Sequence, residues 1–218
     1  SVHSFDLWGT LVKQPVLGPR VLEAYQELME GVEDSEVINQ NIANYQGILD
    51  GDAEAMKHKK LFVDTVEDPL WPAYLRGDIS VNFEGALYED ALTVMDDIAQ
   101  EGEGLIVLTT GESPWVKQAL RIQSPLVGET LQKVYSGDKS KAETYETTEN
   151  SLQENKATMV SHTEDQMKGL IGILESPMRS QVNLIYVERT DKDTRQEVIA
   201  QGIDQHVRDL RQATYLRR

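Results

Sequence analysis

At 218 residues and 24.6 kDa the chain is long enough for one large domain or for a core carrying an inserted module. Asp+Glu 37 against Lys+Arg 21 gives a net charge of −16, a field that repels phosphate backbones and anionic lipid heads, so neither a nucleic-acid nor a membrane partner is expected. Cys 0 excludes disulfides, thiol nucleophiles and thiolate metal sites, and with no bilayer-length apolar run and no signal peptide the expected compartment is the cytoplasm.

Val2-His3-Ser4-Phe5 reads as a short strand running into Asp6-Leu7-Trp8-Gly9-Thr10-Leu11, which places an acid where a strand ends. From Leu17 to about Glu84 the pattern is helical: Arg20 to Met29, Ser35 to Leu49 and Ala53 to Thr65, with Pro69, Pro72 and Gly77-Asp78 expected to close the stretch. Leu87 to Gln100 is an amphipathic helix stopped by Gly102. Gly104 to Thr110 is an apolar run of the kind buried on both faces of a parallel sheet, and a helix from Ser113-Pro114 to Arg121 follows. Further strands are expected at Lys133 to Ser136, Thr158 to Ser161 and Val182 to Val187, and further helices at Ala142 to Asn150, Glu164 to Leu170 and Thr194 to Leu216. This alternation predicts an α/β protein with a Rossmann-like parallel sheet of about four or five strands, whose ligands bind beyond the carboxyl ends of the strands.

Under that fold Asp6, Thr109 or Thr110, Lys139 and the Ser161 to Asp165 turn converge, although they are far apart in sequence. Phe5 to Leu11 resembles motif I of the haloacid dehalogenase superfamily, an apolar strand ending in DxDGT. Leu105 to Gly111 resembles motif II, Lys139 the motif III lysine with Lys141 as its rival, and Met159 to Asp165 falls where motif IV belongs. The resemblance implies a core formed by residues 1–13 and 86–218 and a helical cap formed by residues 14–85.

It also implies that Asp6 is a nucleophile forming a covalent aspartyl intermediate. Thr109 would bind the transferring group, Lys139 would neutralise charge, and Asp165 would orient water. Trp8, Thr110, Gly111 and His162 would line the substrate site. Two departures matter. Trp8 stands where phosphatases of the family carry a general acid, and an indole cannot transfer that proton. Ser161-His162 stands where magnesium-dependent members carry a GD pair. Mg²⁺ held through Asp6 and Asp165 and catalysis without metal therefore both stay open. The aromatic Trp8 and Ser113-Pro114 resemble the 2-haloacid dehalogenase branch, while Leu70-Trp71-Pro72 and Gly137-Asp138-Lys139 resemble the enolase-phosphatase branch. His162 is a candidate for the missing acid or base, and Arg20, Arg76 and the Lys57-His58-Lys59-Lys60 cluster are candidates for meeting an anionic substrate.

The expected activity is hydrolysis of a small organic acid or a phosphorylated metabolite. The alternative is a catalytically inactive binding protein of the same fold, an alternative supported by Trp8.

Overall fold

In the computed structural model, which describes residues 1–108, 114–135 and 141–215, the chain forms two compact units. One comprises Ser1–Val12 with Leu87–Arg218, and the other Lys13–Ala86.

The first unit is built on strands β1 (Val2–Phe5), β2 (Gly104–Leu108), β3 (Leu131–Tyr135), β4 (Met159–Glu164), β5 (Asn183–Val187) and β6 (Gln205–Val207). They form a six-stranded sheet in the order β3-β2-β1-β4-β5-β6, with every pairing parallel. Chain order reverses between β1 and β4, and a doubly wound sheet opens its ligand crevice beyond the carboxyl ends of two such strands. Around the sheet lie α5 (Glu89–Gln100), α6 (Pro114–Gln123), α7 (Pro125–Thr130), α8 (Lys141–Glu154), α9 (Met167–Leu174) and α10 (Arg195–Ala200), numbered after the four helices of the other unit. Tyr145 and Leu152 of α8, Leu170 and Ile173 of α9 and Val198 of α10 bury one face of the sheet against Val2, Ile106, Leu184 and Tyr186.

β1 and β4 are buried along their whole length yet rich in polar residues. Burial of such groups is tolerated when they hydrogen-bond to each other, and the pairing register arranges this. His3 lies beside Ser161 and Ser4 beside His162. His3 Nδ1 meets Ser161 Oγ at 2.7 Å, Ser4 Oγ meets His162 Nδ1 at 2.8 Å, and Tyr145 Oη meets His162 Nε2 at 2.8 Å.

Two sequence expectations fail in this unit. β4 runs on to Glu164 rather than ending at Ser161, because the paired hydroxyls and imidazoles let Ser-His-Thr-Glu stay in the sheet. The helix expected over Thr194 to Leu216 stops at Ala200, and β6 then adds an edge strand. After β6 the chain makes a short 3-10 turn at Leu210–Gln212 and comes back to Gln205, which accepts from Thr214 N at 2.8 Å and donates to Thr214 O at 2.8 Å. The sheet thus has one strand more than expected.

The second unit contains α1 (Gln14–Met29), α2 (Ser35–Leu49), α3 (Ala53–Lys57) and α4 (Lys59–Arg76). Asp34 caps α2 by accepting from Glu36 N, and Asp52 caps α3 by accepting from Glu54 N and Ala55 N. The expected Ala53 to Thr65 helix is broken at His58, and α4 continues through Pro69 and Pro72 rather than ending there. Each proline removes one helical hydrogen bond. The carbonyls so released belong to Thr65 and Asp68, both exposed residues, while Val66, Leu70 and Ala73 are buried on the other side. Among the described residues no helix is long and apolar enough to cross a membrane.

Glu67 is buried in this unit, where its Oε1 accepts from Tyr45 Oη at 2.8 Å. Burial, with smaller contributions from Asp64 and Asp68, pushes its carboxyl from the usual 4.5 up to about 7. A carboxyl whose folded pKa is raised stabilises the fold fully below its unfolded pKa, and that contribution is lost as pH rises through the folded value. Glu67→Gln is therefore expected to be more stable than the wild type at pH 8 by roughly 3 kcal/mol relative to the difference at pH 4. Parallel thermal melts of the two proteins from pH 4 to pH 8 measure this, and a constant gap would contradict it.

Candidate functional site

β1 delivers Asp6 to the carboxyl edge of the sheet, where its backbone N–H donates to Thr163 O of β4 at 2.8 Å. The chain then turns tightly, with Leu11 N and Val12 N both donating to Leu7 O at 3.0 Å. Gly9 sits at φ +83° in this turn, and a Cβ there would lie 2.1 Å from Asp165 Oδ2. Only glycine combines that backbone angle with so close an approach.

Opposite Asp6, β4 ends in Glu164, with Asp165 next. Carboxylate oxygens of Asp6, Glu164 and Asp165 all lie within 4.8 Å of one another, the one such group of three among the described residues. Asp6 and Glu164 are buried and Asp165 is half-buried. Thr10 Oγ1 donates to Asp165 Oδ1 at 3.2 Å. Burial first, then the charges of Glu164 and Asp6, push the Asp165 carboxyl up to about 7 against the opposing Thr10 hydrogen bond. Three crowded acids at a dry strand edge form a set of hard oxygen donors that a divalent cation would stabilise. The residues thus fit Mg²⁺, with Glu164 added to the expected pair.

Glu164 lies in the Ser161 to Asp165 turn expected at the site, but no role of its own was expected for it. The available signal was the Glu164-Asp165 pair itself, two acids in succession after an apolar start, which is recognisable as a strand end only once the polar half of β4 is known to be sheet. Ser161-His162 was expected at that edge and lies instead inside the strand. His162 is fully buried with both ring nitrogens occupied, so it is not positioned as a solvent-facing acid or base at the edge. Its Nε2 lies 3.8 Å from Glu164 Oε2, which places it behind the acids. Trp8 is half-buried in the turn. Thr109, Thr110, Gly111 and Lys139 lie outside the described residues; β2, which precedes the first three, ends at Leu108 beside β1.

A second charged cluster braces the Asp6 turn. Arg189, just beyond β5, grips Asp90 at the start of α5 with both terminal nitrogens, at 2.8 and 3.1 Å. It also donates to Thr10 O at 3.0 Å and stacks 3.9 Å above the Tyr88 ring. Asp90 Oδ2 accepts from Leu210 N at 2.8 Å as well. Both side chains are largely buried, so cutting one away strands the other charge. Arg189→Met is expected to cost about 3 kcal/mol, with Arg189→Lys recovering only part because an ammonium cannot form the two-pronged contact. Chemical denaturation of the three proteins measures it, and equal midpoints would refute the bracing role.

The remaining cation candidates stay within the helical unit. Arg20 donates to the carbonyls of Asn82 and Glu84, both at 2.7 Å, and Arg76 donates to Asp78 Oδ2 at 2.8 Å. Lys57 pairs with Glu54, and Lys60 pairs with Asp64 at 3.0 Å, on an exposed helix surface.

No protein-family model matches the sequence, and no curated protein matches it. Among solved structures, the chain is similar to a haloacid dehalogenase-like family hydrolase from Streptococcus pneumoniae, with a TM-score of 0.55, 12% identity, and 96% of this chain and 94% of that one covered. A predicted phosphatase from Clostridium acetobutylicum gives 0.55 at 15% identity over 97% and 94% of the two chains. A Bacillus subtilis protein described as a HAD-hydrolase, determined bound to magnesium, gives 0.55 at 16% over 96% and 95%. At these identities the likeness is one of fold. The chain has the haloacid dehalogenase-like fold.

Proposed function

We propose that the protein is a magnesium-dependent hydrolase that transfers a phosphoryl group from a small metabolite to Asp6 and then to water. The observation that supports this most is the meeting of three carboxylates within 4.8 Å at the strand edge where the parallel sheet reverses its order. A cation held by these acids would ease the approach of an anionic substrate to a chain of net charge −16.

Mg²⁺ held by Asp6, Glu164 and Asp165 would screen the acids from the substrate and stabilise charge on the transferring phosphoryl oxygens. A carboxylate oxygen of Asp6, ionised without any base, attacks phosphorus while the bond to the leaving oxygen breaks. Water then cleaves the aspartyl phosphate, releasing inorganic phosphate and restoring the carboxylate. Thr109 is proposed to bind the transferring group, Lys139 to offset its charge, and Trp8, Thr110 and Gly111 to line the substrate site. The helical unit, inserted in sequence between β1 and α5, is proposed as the cap that selects the substrate.

With Trp8 where an acid would protonate the leaving group, the leaving group must depart as a stable anion. General acid assistance is commonly worth about 10²–10⁴ in rate, so acyl and aryl phosphates are expected to turn over and alkyl phosphates to lag by roughly that factor. A panel of acetyl phosphate, p-nitrophenyl phosphate, glycerol phosphate and 2-chloropropionate, each with Mg²⁺ and with EDTA, tests the reading. Chloropropionate turnover in EDTA would overturn the phosphoryl-transfer reading. Trp8 also favours a second reading, an inactive binding protein of this fold, which inertness on the whole panel would establish.

A further inference from the structure

We propose that the protein carries a second binding site, for a small primary ammonium ion, between α8 and the segment that follows α9. Glu146, Glu149, Asn150 and Gln153 recur at helical spacing along one side of α8, and Ser176 and Gln181 face them across a cleft of about 160 Å³. Among the described residues no lysine or arginine lines the cleft.

Glu149 gives the cleft its specificity. The residue is buried, 8% exposed, although its helix is otherwise strongly polar on this side. Its Oε1 accepts from Gln153 Nε2 at 3.1 Å. Its Oε2 is buried and has no hydrogen-bond partner among the described residues. A buried acceptor left empty is destabilising, more so on a carboxylate, and such a vacancy is filled by a donor, best a charged one. The site offers two carboxylates together with amide and hydroxyl oxygens, which suits the three N–H donors of an alkylammonium. A hard divalent ion would instead seek six to eight oxygens, most often including several carboxylates.

The volume corresponds to about five waters, so the ligand is a short alkylamine rather than a polyamine chain or a drug-sized molecule. The strongly negative net charge raises the local concentration of any cation, which helps a small ligand of few contacts. Nothing in this proposal depends on Asp6 or on hydrolysis.

The test is thermal melting of the full chain in n-butylammonium chloride against sodium chloride of equal ionic strength, with tetramethylammonium chloride as a cation that lacks N–H donors. The expected result is a saturable rise of about 3 °C with butylammonium at tenfold excess over its dissociation constant and none with tetramethylammonium. Glu149→Gln is expected to weaken the apparent affinity at least tenfold by turning an acceptor into an amide, and Asp6→Asn is expected to leave it unchanged. Should Glu149→Gln fail to fold, the exposed Glu146→Gln serves, with an expected loss of about threefold. Absence of a saturable shift, an equal response to tetramethylammonium, unchanged affinity in the Glu variants, or a response to Ca²⁺ alone would each overturn the proposal.

Discussion

Asp6→Asn is expected to lower turnover of acetyl phosphate by roughly 10⁴-fold, about 5.5 kcal/mol of barrier, because an amide oxygen is no nucleophile toward phosphorus. The same change is expected to stabilise the metal-free protein at pH 8. Burial first, and then the repulsion of the crowded Glu164 and Asp6, holds the Asp165 carboxyl up to about 7. A folded pKa raised in this way means that stability is lost as pH climbs through about 7, so removing one of the repelling charges returns part of it. Added Mg²⁺ should raise the melting temperature of the wild type more than that of Asp6→Asn. Thermal melts with and without the ion, beside the rate assay, separate loss of the nucleophile from loss of the fold. A variant that melts lower than the wild type in EDTA at pH 8 would show that the acids are not repelling each other.

The second large effect is expected at Gly9. Its φ of +83° costs an L residue about 1 kcal/mol, and a methyl there would collide with the carboxylate of Asp165 at 2.1 Å. Asp165 would have to swing away and give up the Thr10 hydrogen bond. Gly9→Ala is therefore expected to cost about 2 kcal/mol in stability and to raise the Mg²⁺ concentration giving half-maximal activity at least tenfold. Gly102 provides the control. Its φ is +76° but a Cβ there meets nothing within 4 Å, so Gly102→Ala should cost only the backbone strain and leave the Mg²⁺ dependence unchanged. Equal Mg²⁺ dependence in Gly9→Ala and the wild type would show that Asp165 takes no part in holding the ion.

The order of strands and helices was legible because the core strands announce themselves: Leu105-Ile106-Val107-Leu108 is apolar throughout, and Leu184 to Val187 nearly so. The position of Asp6 followed from Val2-His3-Ser4-Phe5 reading as a short strand and from the motif that Phe5 to Leu11 resembles. The second half of the site was not legible. Ser161-His162-Thr163-Glu164 has the composition of a loop, and partners elsewhere in the sequence, His3, Ser4 and Tyr145, make the burial of Ser161 and His162 tolerable. Once those pairings keep β4 in the sheet, the acid that reaches the edge is Glu164 rather than the Ser161-His162 pair. Arg189 was invisible for a related reason. Its partner Asp90 is 99 residues away, and nothing local distinguishes it from a solvated arginine. The run through Pro69 and Pro72 shows the converse, a local stop signal overridden where Thr65 and Asp68 lie on the exposed side and the opposite side is packed.

The most direct measurement is to quench the protein in acid during Mg²⁺-supported turnover of acetyl phosphate and to locate any added phosphoryl group by peptide mass spectrometry. The expected result is a phosphoryl group on the segment containing Asp6, present in the wild type and missing from Asp6→Asn. Steady release of inorganic phosphate with no phosphoryl group on that segment, or with one on another residue, would contradict the covalent role of Asp6.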